Sequence, residues 1–203
     1  MKKLGILLLL LTILLLVGCK KNGDDPIIKE PIEVALGKFS DNNYEISVGI
    51  FYYNQLEQTI IIKVDGNKTE FIFDDNNLEF YVREDDVLTS YVKDGETYVK
   101  EEDTVIKNDS VALFNNLNKD WFNYNEERAR YNLRPANLVN FEEILNLGED
   151  FLVKSAYFTL DDNNFINFLR IHLDHQTYNY YYEFTVKNYG EVTVTLPSGG
   201  DIR

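Results

Sequence analysis

The sequence predicts an α+β fold in which a long antiparallel β-sheet packs on two to three short helices, and three observations carry this expectation. Runs of alternating apolar and polar residues recur at spacings of about ten residues between positions 44 and 101, with no helical pattern among them. The links between these runs are short and rich in Asp, Asn and Gly, which suits hairpins and excludes parallel crossovers, since those need about a dozen residues or more. Helical periodicity is confined to three places, and segments that short bury their apolar faces only against another layer.

Taken in order, residues 20–29 are polar, contain Gly23 and Pro26 and show no apolar period, so residues 19–29 are expected to be a flexible tether ahead of one domain over 30–203. Ile32, Ala35, Leu36 and Phe39 then fall at helical spacing behind Pro31, which is tolerated in a first turn, and predict a helix ending near Ser40. The period next switches to two. Tyr44, Ile46, Val48, Ile50 and Tyr52 share one side of a strand, and Gln58, Ile60, Ile62 and Val64 share one side of the next. Asp65, Gly66 and Asn67 supply a tight hairpin turn before Thr69, Phe71 and Phe73. The same grammar gives strands at Leu78–Val82, Val87–Lys93 and Glu96–Glu101, the last two joined by Asp94 and Gly95.

In the middle, Val111, Phe114, Leu117 and Trp121 recur at a helical period after the capping candidates Asn108 and Asp109. A polar, partly basic stretch follows at 125–134. Pro135 then opens a helix through Leu138, Phe141, Ile144 and Leu145, with Gly148 placed to stop it. Strands resume at Leu152–Leu160 and around Ile171 and Leu173, and the clearest alternation is Tyr178, Tyr180, Tyr182, Phe184 and Val186. Asn188, Tyr189 and Gly190 predict a hairpin loop, with Val192, Val194 and Leu196 as the closing strand and 198–203 as a frayed end.

Ahead of the tether, Lys2 and Lys3 precede an apolar run from Leu4 to Val17 that falls short of the roughly 20 residues a membrane span needs. The run closes on Leu16, Val17, Gly18 and Cys19, and Lys20 and Lys21 follow at once. This resembles the bacterial lipoprotein signal (lipobox) position by position. The resemblance implies removal of residues 1–18, a diacylglyceryl group on the Cys19 sulfur and an acylated new amino terminus. A thiolate is a strong nucleophile for such alkylation, and two acyl chains hold a protein on a membrane where one is marginal. The expected location is the extracytoplasmic face of the cell membrane, anchored by lipid.

Composition bounds the remainder. The chain carries 34 acidic against 20 basic residues, a net charge of −14, which argues against nucleic acid as a partner. Cys19 is the only cysteine, so a lipidated chain has neither a disulfide nor a catalytic thiol. The length suits one domain that buries roughly 70% of its unfolded surface.

The order helix, meander, helices and further strands ending TVKNYGEVTVTLP resembles the half-open β-barrel lipoproteins, which include periplasmic lipoprotein carriers and mycobacterial lipid-binding lipoproteins. That likeness implies a curved antiparallel sheet of about ten strands wrapped around helices, with an apolar cavity between them and a lipid or other hydrophobic ligand. The stretch around Asn125–Arg134 departs from the layout at the mouth of such a cavity. Aromatic residues make up 14% of the chain. They either fill the core or, at Tyr178, Tyr180, Tyr182 and Phe184, line an apolar pocket.

Other chemistry is sparse. His172 and His175 lack the companions of a zinc site and are expected at the surface, and the pairs Asp74–Asp75, Asp85–Asp86 and Asp161–Asp162 lack the order of a calcium loop and suit turns. No nucleophile elbow or phosphate-cradling glycine loop is present. The expectations are therefore no cofactor, no metal and no enzymatic activity. The leading function is binding of a hydrophobic molecule at the membrane, and the other is a ligand-free interaction or structural module of the envelope.

Overall fold

The computed structural model describes residues 30–203 except 76, 86, 105–109, 146–150 and 176–177. The expected signal peptide, Cys19, the tether and the capping and stop residues Asn108, Asp109 and Gly148 lie outside the described residues. Pro31–Arg203 forms one unit by its contacts.

Helix α1 (Pro31–Phe39) opens on proline and places Glu33 in its first turn and Lys38 in its last, each matching the helix dipole. It buries Ile32, Ala35 and Phe39. Six strands follow as a meander: β1 (Asn43–Tyr52), β2 (Gln55–Asp65), β3 (Lys68–Phe73), β4 (Leu78–Glu84), β5 (Val87–Asp94) and β6 (Thr97–Glu101). The two-residue turns after β2 and β5 carry Gly66 at φ +63° and Gly95 at φ +67°, a conformation that costs glycine nothing.

Helix α2 (Ser110–Asn115) is shorter than its apolar period predicts. The Asn116 side chain donates to the Ala112 carbonyl at 2.8 Å, and Asn118 accepts from the Asp120 amide at 2.9 Å, so side-chain bonds end the helix and start a separate 3₁₀ turn at Lys119–Trp121. Strands β7 (Phe122–Asn125) and β8 (Arg130–Leu133) form a hairpin where the sequence reads only as a polar stretch. A 3₁₀ turn at Pro135–Asn137 leads into α3 (Leu138–Leu145), and the Glu142 carboxylate ties this helix to the next strand by accepting from the Val153 amide at 2.6 Å. Strands β9 (Leu152–Leu160), β10 (Ile166–His175) and β11 (Tyr178–Lys187) follow, and a 3₁₀ turn lies at Gly199–Asp201.

All eleven strands belong to one sheet in the order β6-β5-β4-β3-β2-β1-β11-β10-β9-β8-β7. Every neighbouring pair is antiparallel, and β6 and β7 are its two outermost strands. The predicted class, an antiparallel sheet of about ten strands packed on two to three short helices, is what the chain adopts, with eleven strands and three α-helices among the described residues. The two meanders meet where β1 lies beside β11, from Glu45 opposite Lys187 to Tyr52 opposite Tyr180.

One face of the sheet holds the main core. Phe39 stacks on Phe114 at 4.6 Å and meets Tyr44 edge-on at 5.0 Å, while Phe122 meets Phe158 at 4.8 Å. All of these are buried.

The end of the sequence differs from expectation. Val192, Val194 and Leu196 are not a strand, because β11 already has β1 on one side and β10 on the other and offers no free edge. After the turn at Asn188–Gly190, the segment instead crosses the face opposite the helices and buries Val192 and Val194 against Phe80, beside Leu78, Tyr91, Tyr98 and Leu196. Side chains stand in for a partner strand there. The Asn43 amide donates to the Val192 carbonyl and accepts from the Val192 N–H, both at 2.9 Å, and the Asp65 carboxylate accepts from the Val194 N–H at 3.1 Å. Nor does 198–203 fray: Ile202 bridges to Tyr98, the Arg203 amide donates to the Tyr98 carbonyl at 2.9 Å, and Arg203 pairs with Asp94.

Candidate functional site

A cleft of about 420 Å³ opens on the helix side of the sheet, between β2–β5 and α2. Strand alternation builds its floor: Val64 from β2, Tyr81 from β4 and Leu88 from β5 point to the same face, and Val111 of α2 lies across from them. Its rim is polar, with Asn42, Asn67, Arg83, Asp85 and Asn115. The rim is braced by backbone. The Gly66 amide donates to the Asn42 carbonyl at 2.7 Å, the Arg83 amide to the Asn67 carbonyl at 2.9 Å, and the Asn67 side chain to the Arg83 carbonyl at 2.9 Å.

Burial is the main cause, and the hydrogen bond to Glu79 at 2.8 Å the next, of a Tyr81 phenol held well above its usual pKa. That ring is therefore a neutral, fixed wall that meets Phe71 edge-on at 5.4 Å. Arg83 forms no ion pair with another described residue, and in so acidic a chain it brings a positive charge to the rim. The arrangement can hold a molecule with an apolar body on the floor and an anionic or hydrogen-bonding end at the rim.

The tyrosine row of β11 does not line this cleft. Phe184 is 1% exposed and meets Phe114 edge-on at 5.8 Å, and Tyr182 packs beside it, its phenol pushed above the ordinary value by burial. Tyr180 lies among Tyr52, Phe151 and His175 and borders a smaller hollow of about 260 Å³ beside the β1–β2 turn. Tyr178 opens β11 opposite His175, and its side chain lies outside the described residues. Leu16, Val17, Gly18 and Cys19 lie outside them as well.

His172 is on the surface as expected. His175, expected at the surface, instead ends β10 half-buried, with its ring 4.6 Å from Phe151. Asp75 and Asp161 serve their turns, accepting from the Asn77 amide at 3.1 Å and from the amides of Asn163 and Phe165, while Asp74 reaches across to the Thr59 amide at 2.7 Å and Asp86 lies outside the described residues. Among the described residues no three His, Cys, Asp or Glu side chains cluster to hold a metal, and no helix is long and apolar enough to cross a membrane. Sequence reasoning placed Val64 and Val111 on inward faces but gave no signal for Arg83, one basic residue before the acidic run 84–86.

No protein-family model matches the sequence, and no curated protein matches it.

Proposed function

We propose that this chain is a lipoprotein of the extracytoplasmic membrane face, anchored through a diacylglyceryl group on Cys19, whose domain binds a small hydrophobic or amphipathic molecule. The observation that carries the reading is the cleft between β2–β5 and α2. Its volume of about 420 Å³ falls within the roughly 300–1,000 Å³ of small-molecule sites, and its apolar floor lies below a polar rim that carries the Arg83 cation and the Asp85 carboxylate. This geometry favours one short apolar chain with an anionic or polar head. The lipobox resemblance at Leu16–Cys19 supports the location, and the acidic body keeps the domain off anionic headgroups while the acyl chains do the holding.

Two measurements test this. Decanoate and decanol are titrated against the purified full chain: both bind, Val111→Trp abolishes both by filling the space between α2 and the floor, and Arg83→Ala weakens decanoate alone by roughly tenfold, the loss of one charge-assisted contact. Intact-mass analysis of protein from cells finds the chain beginning at Cys19 with acyl groups attached, and Cys19→Ser frees it from the membrane. Failure of either ligand to bind leaves the ligand-free envelope module as the better reading, and a mature chain that begins elsewhere removes the anchor.

A further inference from the structure

The rim of the cleft under α2 carries a charge pattern that a molecule with a single polar end does not match. Arg83 and Asp85 both line the cleft, two positions apart where β4 passes into its turn. Each is exposed, and neither forms an ion pair with another described residue. A guanidinium and a carboxylate thus border the same opening without neutralising each other.

Strand β4 sets this arrangement. Tyr81 and Arg83 lie two residues apart and so share a face, which makes a floor ring run directly into a rim cation. Arg83 stands opposite Leu88 of β5, and Asp85 lies in the turn between them at φ +53°. Asparagine accepts that conformation as readily as aspartate, so the turn accounts for a short polar side chain but not for its charge. Thr69 adds a polar group lower down. It is 9% exposed, flanked by Val64 and Tyr81 on the neighbouring strands, and its hydroxyl makes no hydrogen bond with another described residue. A hydroxyl so nearly buried is costly to leave unpaired, and Thr69 lines the cleft, from which a partner can reach it.

These features discriminate among amphipathic molecules. A fatty acid sets its carboxylate beside Asp85 as well as Arg83, and an alkyl amine sets its ammonium beside Arg83 as well as Asp85, so each meets one like charge. A neutral head answers neither charge. A zwitterion matches both. In an α-amino acid the carboxylate and the ammonium leave one carbon and the side chain leaves it in a third direction, which suits two rim charges above an apolar floor. The paired long chains of a membrane phospholipid are too large for a cleft of about 420 Å³.

We propose that the cleft binds an apolar α-amino acid, with its carboxylate on Arg83, its ammonium on Asp85 and its side chain on Val64, Tyr81 and Leu88. The Thr69 hydroxyl bonds to its polar head. This assignment rests on the cleft being a small-molecule site and narrows what that site takes.

Isothermal titration calorimetry of the purified full chain with L-leucine and L-phenylalanine tests it, beside their N-acetyl and amide derivatives, L-serine and dihexanoylphosphatidylcholine below its micelle concentration. At least one of the two amino acids should bind roughly tenfold more tightly than its N-acetyl form, its amide or serine, as expected when one charge-assisted contact or the apolar contact is missing. Asp85→Asn keeps the left-handed turn and removes the charge, so it should weaken the amino acid without weakening the N-acetyl form. Arg83→Gln should weaken the amino acid without weakening the amide. Thr69→Val, which removes the unpaired hydroxyl, should weaken binding while the protein melts no lower. Decanoate and decanol separate this assignment from the broader reading. If they bind while the amino acids bind no better than their blocked forms, the assignment falls and the hydrophobic site stands; if neither they nor the amino acids bind, both fall. Preference for dihexanoylphosphatidylcholine over both amino acids, or amino-acid binding that survives both charge substitutions, also overturns the assignment.

Discussion

Replacing Asn43 with alanine should uncouple the closing segment from the sheet. The Asn43 amide donates to and accepts from the Val192 backbone, each at 2.9 Å, and donates to Asp65 Oδ1 at 3.2 Å. Each neutral bond contributes about 1 kcal/mol net and one to a carboxylate about 1.5 kcal/mol. The site is half-buried, and water re-satisfies part of what is lost, so the expected destabilisation is about 2–3 kcal/mol. For a domain of this size that lowers the melting temperature by roughly 5–10 °C.

Urea denaturation reads the stability, and hydrogen exchange reads the place: the Val192 and Val194 amides lose protection while those in the middle of β10 keep theirs. Val194→Ala serves as a control, because it removes buried apolar surface but leaves the Asn43 bonds in place. If Asn43→Ala shifts stability by less than about 0.5 kcal/mol and leaves both amides slow to exchange, the side-chain pairing does not hold the segment.

Three further outcomes are expected. Phe184→Ala, at a position 1% exposed against Phe114, should cost about 3–5 kcal/mol in urea denaturation, and a cost near that of a surface substitution would place it outside the core. Gly49→Ala should displace the Phe51 ring and cost on the order of 1 kcal/mol, with Tyr181 resonances shifting in NMR spectra as the stack opens. The His172 pKa is lowered, first by burial and then by Arg170 and Lys154. The unfolded chain therefore takes up its proton first as pH falls, so this residue's contribution is present above about pH 6.5 and declines below it. Parent protein and His172→Gln compared between pH 7.5 and 5 should show the smaller acid loss in the variant.

Alternation made most of the sheet legible. Tyr44, Ile46 and Val48 and then Ile62 and Val64 predict inward faces that the structure fills, and Gly66 and Gly95 mark their turns. The hairpin β7–β8 escaped notice because Glu126, Glu127, Arg128 and Arg130 mask a short alternation of Phe122 and Tyr124 with Tyr131 and Leu133. The supposed last strand has a faultless period of two, yet local pattern does not report whether a neighbouring strand has an edge to spare. The role of Asn43 and Asp65 in holding it depends on contacts 149 and 129 residues away in sequence. The cleft was expected only as a space between sheet and helices. Its location under β2–β5, and not beside Tyr182 and Phe184, follows from where α2 ends, which Asn116 and Asn118 decide.

The pairing of Glu45 with Lys187 joins two positions separated by most of the domain. A ribosome must therefore deliver nearly the whole polypeptide before the first strand acquires its second neighbour, and closing so long a loop makes the search for that partner slow. Until then Ile46 and Val48 have only half of their final surroundings. Over that interval the second edge of β1 stays unpaired, although β2 to β6 can already close on their sequence neighbours.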